Sequence, residues 1–207
     1  MALVWLAPDD RVVDGFLALA GSSWGRAELD GAWSAAGWPS PRGRSVAEEV
    51  YGAHEYRFAV DEHRWVGVAV RFDPDEVVGF FLPFATYVDE SDPDDPDVED
   101  LLSACGAPWS GDALAGRAEF DARHDEAVAR LTARLGDPHA VGRHDEAWHH
   151  AVWRVRDRLV VLAQGEDFER YGMADNACLW VVRHDDALPV PTGDDLYAFL
   201  CGDAAPA

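Results

Sequence analysis

The chain has 207 residues and a formal net charge of −22, because 39 acidic residues face 17 arginines and there is no lysine. A surface of this kind repels nucleic acid, anionic membranes and acidic substrates, and it attracts basic molecules over a long range. We therefore expect no direct binding to nucleic acid or membranes, and a basic protein as the partner.

The absence of lysine and isoleucine, with Asn176 as the single asparagine, is also typical of a GC-rich bacterial genome. Genome composition, high intracellular salt and a basic partner thus remain open as causes of the acidity. Hydrophobic residues make up 48% of the chain, which is enough for a folded core. The length predicts one globular domain over residues 1–207.

Residues 1–6 have no positive charge and are followed by acidic residues, so no signal peptide is predicted. No apolar run reaches the roughly 18 to 20 residues of a membrane span. Cys105, Cys178 and Cys201 are odd in number and widely spaced, which is typical of reduced thiols. These features predict a cytoplasmic protein.

The first elements in the chain are helical. Pro8, Asp9 and Asp10 form a helix-start signal, and the apolar spacing behind them predicts a helix over 9–20. A second helix is predicted near 26–36, and Gly37 ends it.

Between these helices, residues 21–25 match the G-x-S-x-G pattern of a nucleophilic serine. That motif requires a buried strand before the serine, whereas the preceding stretch is helical. A helix–helix connection, in which Ser22 or Ser23 caps the next helix, explains the pattern better.

Apolar residues then alternate with period two over 56–60 and 66–72, and a third apolar run covers 77–82. These runs predict an antiparallel meander over about 54–82. The acidic segment, residues 89–100, follows with eight carboxylates and two prolines. We expect an exposed loop there, and not a calcium loop, because Pro96 stands where the sharp turn needs glycine.

A long helix is predicted over about 113–135, and Gly136 and Pro138 end it. His124 follows Phe120 by one turn on its apolar stripe, so we interpret it as a core histidine with satisfied hydrogen bonds.

Period-two runs return over about 150–183, with predicted strands at 151–156, 159–163 and 178–182, before a terminal helix at 194–200. The order predicts an α+β fold whose antiparallel sheet has five to six strands in two meanders, with the long helix between them and helices at both ends.

This element order resembles the secretion-chaperone-like fold and the immunity proteins of polymorphic toxin systems. The residues that carry the resemblance are Gly37-Trp38, after the first helices, and Leu135-Gly136-Asp137-Pro138, at the end of the middle helix. It implies a small binding protein that neutralises or holds a partner such as a toxin domain. It implies no catalytic residue.

The richest mixed cluster of imidazoles and carboxylates lies in residues 139–150, with four histidines, Asp145 and Glu146, a composition that suits zinc or another transition metal. The alternative function is therefore a metal-dependent hydrolase with His144, Glu146 and His149 as ligands. However, the segment leads into a strand, where His149 and His150 are expected to point to opposite faces. The tetrapeptide His-Asp-Glu-Ala occurs at both 124–127 and 144–147, but without flanking similarity it does not indicate a repeat.

We find no cofactor motif and expect no cofactor. The expected function is a non-enzymatic, cytoplasmic binding protein for a basic partner protein, in which carboxylates accelerate association and tryptophans beside turns supply affinity. The predicted partner-binding residues are Asp92, Asp94, Asp95, Asp97, Trp38, Trp109 and Trp148.

Overall fold

A computed structural model gives the fold of the protein. The structure describes residues 1–70, 77–89, 96–145, 148–166, 168 and 174–201, without the side chains of residues 96, 97 and 104. In this part of the chain, six α-helices and one antiparallel sheet of nine strands form an α+β fold. None of the described helices has the length and apolar character that crossing a membrane requires.

The helices are α1 (Asp10–Ala20), α2 (Leu29–Ala35), α3 (Val46–Gly52), α4 (Pro96–Ala104), α5 (Arg117–Leu135) and α6 (Asp194–Cys201). The strands are β1 (Ala2–Trp5), β2 (Arg57–Ala59), β3 (Trp65–Val70), β4 (Val77–Val88), β5 (Ser110–Asp112), β6 (Ala140–His144), β7 (Trp148–Val155), β8 (Arg158–Gly165) and β9 (Asp175–Arg183). Their order in the sheet is β2-β3-β4-β9-β8-β7-β6, and β1 lies between β4 and β5.

The long strand β4 joins the parts of the sheet. Its first half pairs with β3, its second half pairs with β1, and its other edge pairs with β9. Pro83 lies between the β3-paired and the β1-paired halves, where the ladder with β9 also shifts its register. A proline has no N–H to donate to a neighbouring strand. The interruption in the pairing at Pro83 therefore allows a proline within this central strand.

The two predicted meanders are present as β2-β3-β4 and β7-β8-β9, and the β4–β9 pair connects them. The predicted number of five to six strands is too low. β1 is a short apolar run without a flanking turn signal, β5 is three exposed residues, and β6 is a half-exposed edge strand. Their sequences carry little alternation, and pairing with neighbouring strands holds them in the sheet.

Both faces of the sheet are covered. Phe16 of α1, Leu29 of α2, Val50 of α3 and Phe120 of α5 belong to the large core on one face. On the other face, α6 packs on β8 and β9, and α4 packs on β1 and the end of β4. Every position of β8 is therefore buried, and its residues 159–163 form a continuous apolar run, since both faces of the strand are covered.

The helix ends agree in part with the sequence signals. The side chain of Asp9 caps α1, and Gly37 and Gly136 follow α2 and α5 with φ of 72° and 77°, which glycine adopts without strain. The predicted serine cap of α2 is wrong, because α2 begins after Glu28 and Ser22 donates back to the carbonyl of Ala18.

The acidic segment is only partly the loop that its composition predicts. Residues 90–95 lie outside the described part of the chain, but α4 begins at Pro96. Proline is favoured in the first turn of a helix, where its missing N–H has no partner to lose. Val98 anchors this helix in a small apolar cluster with Ala2 and Val88.

Candidate functional site

A groove of about 690 Å³ opens between the end of α2 and the turn that joins β2 to β3. Residues 37–39 form one wall, residues 60–63 form the other, and Arg11 of α1 lines the groove between them. The groove is open to solvent along its length, so its shape suits an extended segment or a protruding side chain of another protein.

Trp38 lines this groove, although only 6% of its surface is exposed. Its ring makes edge-to-face contacts with Trp33, at a centroid distance of 4.8 Å, and with Phe16, at 5.5 Å. Trp38 is therefore a core residue that forms part of the groove wall, and little of its ring is available to a partner.

The opposite wall is a rigid turn. Asp61 Oδ1 accepts the backbone N–H groups of His63 and Arg64, both over 2.8 Å. The guanidinium of Arg64 contacts Asp61 Oδ2 at 3.0 Å and Asp9 Oδ2 at 2.9 Å, which ties the turn to the N-terminus of α1. Burial raises the pKa of Asp9, but the N–H of Val12 and the charge of Arg64 outweigh it, so the pKa lies below its usual value.

The groove is lined by two carboxylates of different exposure. The Asp61 side chain is 22% exposed and engaged by Arg64, whereas the Glu62 side chain is 93% exposed. The cation at the groove, Arg11, donates to the carbonyl of Gly37 over 3.5 Å. Glu62 is thus the carboxylate here that a basic partner reaches first.

Trp109 connects the groove to the acidic segment. Its half-buried indole donates to the backbone carbonyl of His63, in the groove wall, over 2.9 Å. Trp109 immediately precedes β5, and α4 packs against that strand, with Leu102 3.0 Å from the position of a Cβ at Gly111. Two of the three predicted tryptophans, Trp38 and Trp109, therefore lie beside one groove.

Trp148 has a different place. It is buried, 6.4 Å from the ring of Phe120, and the guanidinium of Arg117 lies 3.7 Å from its ring centroid. Its neighbourhood in sequence, beside a turn, suggested a surface residue, but α5 covers it. In this fold Trp148 is a core residue with a cation over its face.

Most of the predicted partner-binding carboxylates lie outside the described part of the chain. Asp92, Asp94 and Asp95 lie outside the described residues, and Asp97 is in the first turn of α4, with its side chain undescribed. Contact between these carboxylates and a partner stays a prediction.

The predicted metal ligands are not brought together. His144 stacks on Tyr197 at 3.9 Å and contacts Asp194 over 2.8 Å, on the face that α6 covers. His149 lies against His124 of α5, on the opposite face. Glu146 lies outside the described residues. His144 and His149 therefore cannot share one ion.

His150 points away from His149, as the strand pattern predicted. Its Nε2 accepts the N–H of Gly193 over 3.1 Å and contacts the hydroxyl of Thr192 at 2.7 Å. Burial and the neighbouring imidazoles, His124 foremost among them, lower the pKa of His150 to about 4. The ring is neutral at physiological pH and holds the chain before α6.

Acidic and phenolic groups meet where β4 ends and β9 begins. Tyr87 and Asp175 are paired across these strands, and the hydroxyl of Tyr87 donates to Asp89 over 3.1 Å. Burial, with Asp89 adding to it, raises the pKa of Tyr87 to about 12. Burial also raises the pKa of Asp175 to about 7, although Arg117 opposes the rise. Asp175 is thus a carboxyl group that titrates near neutrality.

Sequence reasoning did not select Glu62 and His63 as site residues. The signal was available, since Asp-Glu-His at a predicted hairpin turn is an exposed acidic tip, but nothing in the sequence placed that tip beside Trp38 and Trp109. Sequence reasoning did not select Asp125 either, because nothing in the sequence placed it close to both His124 and His149.

The chain matches no protein-family model, and neither a curated protein nor a solved structure shows significant similarity to it.

Proposed function

We propose that this protein is a non-enzymatic, cytoplasmic binding protein, immunity-like or chaperone-like, that engages a basic partner protein through the groove and the acidic surface beside it. The observation that carries the proposal is the position of Trp109, which contacts the groove wall at His63 and precedes the strand on which α4 packs. An aromatic side chain between a groove and a carboxylate-rich segment suits an arginine- or lysine-rich surface.

The use of the arginines inside the molecule also supports this proposal. Arg64 and Arg134 each contact two carboxylates, and Arg57 and Arg117 lie over tryptophan rings. Cations that are engaged in this way contribute less to the outward field than exposed carboxylates such as Glu62. A field of one sign increases the association rate with an oppositely charged protein.

The test is affinity capture from the native cytoplasm at low ionic strength with three untagged, surface-immobilised proteins. These are the wild type, the double variant Glu62→Gln/Trp109→Ala in the groove, and the control Asp195→Asn on α6. We expect a basic protein that the wild type and the control retain, that the groove variant loses by at least tenfold, and that rising salt releases.

The proposal fails if the retained proteins are the same for the groove variant and the wild type, or if they are acidic. A circular dichroism spectrum of each variant shows whether the loss is due to binding or to folding.

The alternative of a metal-dependent hydrolase that uses the 139–150 cluster has less support. It requires His144, Glu146 and His149 in one site, and His144 and His149 contact helices on opposite faces of the sheet. Elemental analysis of the untagged wild type and of the untagged His144→Ala variant tests this alternative. A stoichiometric metal that the substitution removes would favour it.

A further inference from the structure

His124 is a buried histidine with an unsatisfied ring nitrogen. Its side chain is 3% exposed, and Nδ1 has no hydrogen-bond partner among the residues that the structure describes. Burying an unpaired polar atom is unfavourable, so such an atom in a core requires an explanation. His124 is buried, as the sequence predicts, but only its Nε2 has a hydrogen-bond partner in the described part of the chain, and the nearest carboxylate oxygen to Nδ1, on Asp125, lies 3.7 Å away.

The tautomer of His124 follows from its other nitrogen. Nε2 lies 3.5 Å from the backbone carbonyl oxygen of Leu162, and a carbonyl only accepts, so this contact favours a proton on Nε2. Nδ1 then carries a lone pair, and the carboxylate of Asp125 lies 3.7 Å from it. A lone pair and a carboxylate repel each other unless a positive centre lies between them.

His149 of β7 completes this arrangement. Its ring lies perpendicular to that of His124, with centroids 6.0 Å apart. One potential ligand atom from each of His124, Asp125 and His149 lies within 4.8 Å of the other two. Ligands on a tetrahedral ion with bonds near 2.0 Å are about 3.3 Å apart, so the site needs to contract by about 1.5 Å at most. Asp125 is 73% exposed and can move by changing its rotamer.

We propose that His124, Asp125 and His149 bind one divalent transition-metal ion of the zinc class, between α5 and β7. Two imidazole nitrogens select such ions over calcium and magnesium, which prefer oxygen ligands. The contact from Nε2 of His124 to the Leu162 carbonyl is the outer hydrogen bond that orients a histidine ligand. Three protein ligands leave the fourth position for water or for a side chain of another molecule.

This inference is independent of the proposed partner groove, since the site lies on α5 and β7. It also differs from the ligand set that the sequence suggested. The chain contains its own matched control, because the same tetrapeptide, His-Asp-Glu-Ala, occurs at 124–127 and 144–147. His144 Nε2 also lies near its neighbouring carboxylate, 3.9 Å from Asp145 Oδ2, but its ring stacks on Tyr197.

The experiment is a titration of untagged protein with Co²⁺, followed by visible absorption, and a competition with Zn²⁺ in the presence of millimolar Mg²⁺. Magnesium saturates non-specific carboxylate sites, which a chain of this charge has in number. We expect one Co²⁺ per chain, displaced by Zn²⁺, with bands typical of tetrahedral coordination. His149→Gln and Asp125→Asn are expected to weaken binding at least tenfold, and His144→Gln and Asp145→Asn less than twofold.

Absence of stoichiometric binding by the wild type overturns the proposal. So does an equal loss in both pairs of variants, which indicates diffuse electrostatic binding. Asp125 is exposed, so Asp125→Asn is expected to fold even if His149→Gln does not. Its unfolding temperature adds a second readout, because the same metal concentration raises that temperature more in the wild type than in this variant.

Discussion

Trp109 donates its indole N–H to the backbone carbonyl of His63, 46 residues earlier in the chain, over 2.9 Å. This bond fixes the stretch before β5 against the β2–β3 turn, and Arg64 fixes the same turn against α1. The groove wall is therefore held from two sides. A surface with this rigidity loses little entropy when a partner binds.

The first prediction concerns the acidic segment. Replacing Asp92, Asp94, Asp95 and Asp97 by asparagine is expected to slow association with the basic partner several-fold at low salt and to change the dissociation rate little. Charges outside the buried part of an interface act mainly on the rate of encounter, over a range that salt shortens. The measurement is surface plasmon resonance at two salt concentrations.

A two-residue version provides the charge-matched control. Asp92→Asn/Asp94→Asn removes the same charge as Asp194→Asn/Asp195→Asn, which lies on α6 near the opposite edge of the sheet. An equal slowing in both pairs would mean that net charge, and not the position of the segment, determines the rate.

The two glycines Gly15 and Gly31 support a second prediction. In α1, a Cβ at Gly15 would lie 2.8 Å from Nε1 of Trp38, whereas in α2 a Cβ at Gly31 has no neighbour within 4 Å. An alanine in a helix gains about 1 kcal/mol over glycine from propensity. At Gly15 the clash with the packed indole outweighs this gain, at a cost of about 1–3 kcal/mol.

We therefore expect Gly15→Ala to lower the free energy of unfolding and Gly31→Ala to raise it, both measured by urea denaturation. Equal stability of the two variants would mean that Trp38 moves aside easily, and the groove that it lines would then be deformable.

Much of the fold follows from local pattern. The period-two runs gave both meanders because each strand there is buried on at least one face, and Gly37 and Gly136 marked helix ends because their backbone conformation favours glycine. Pairing that depends on distant residues left no such pattern. β5, with three exposed residues, is in the sheet because β1 lies beside it.

The functional residues were harder to predict, because the residues that surround them are also distant in sequence. The sequence places Trp148 beside a turn, and only the packing of α5 shows that it is buried under Arg117. The sequence suggested His149 as a metal ligand together with His144 and Glu146, but the imidazole beside it in the fold is His124, which is 25 positions away on another element. Composition detects such residues, and only the fold decides which of them meet.

The third prediction is acid destabilisation through His150. Its pKa is about 4 in the folded protein, below the usual 6.5, so between these values the unfolded chain binds a proton that the folded chain does not. Stability from this group is full above pH 6.5 and is lost as the pH falls towards 4. We expect a contribution of about 2 kcal/mol at most between pH 7 and pH 5.

His150→Gln keeps an acceptor for the N–H of Gly193 and removes the titration. Its free energy of unfolding is expected to depend less on pH than that of the wild type over this interval. A parallel pH profile for His150→Gln and the wild type would contradict the assignment.

The last prediction concerns Asp175, which titrates with the opposite sign. Its pKa is raised to about 7 in the folded protein, chiefly by burial, so between the usual value of 3.8 and 7 the folded chain holds a proton that the unfolded chain has lost. This group therefore makes the protein less stable as the pH rises through that window.

Asp175→Asn removes the ionisation and is expected to stabilise the protein by about 1–2 kcal/mol at pH 8, less than the full shift implies because solvent screens part of the charge. The gain, measured by denaturant unfolding, should shrink with falling pH and vanish near pH 4. A change in stability on Asp175→Asn that does not depend on pH would mean that Asp175 is ordinarily ionised.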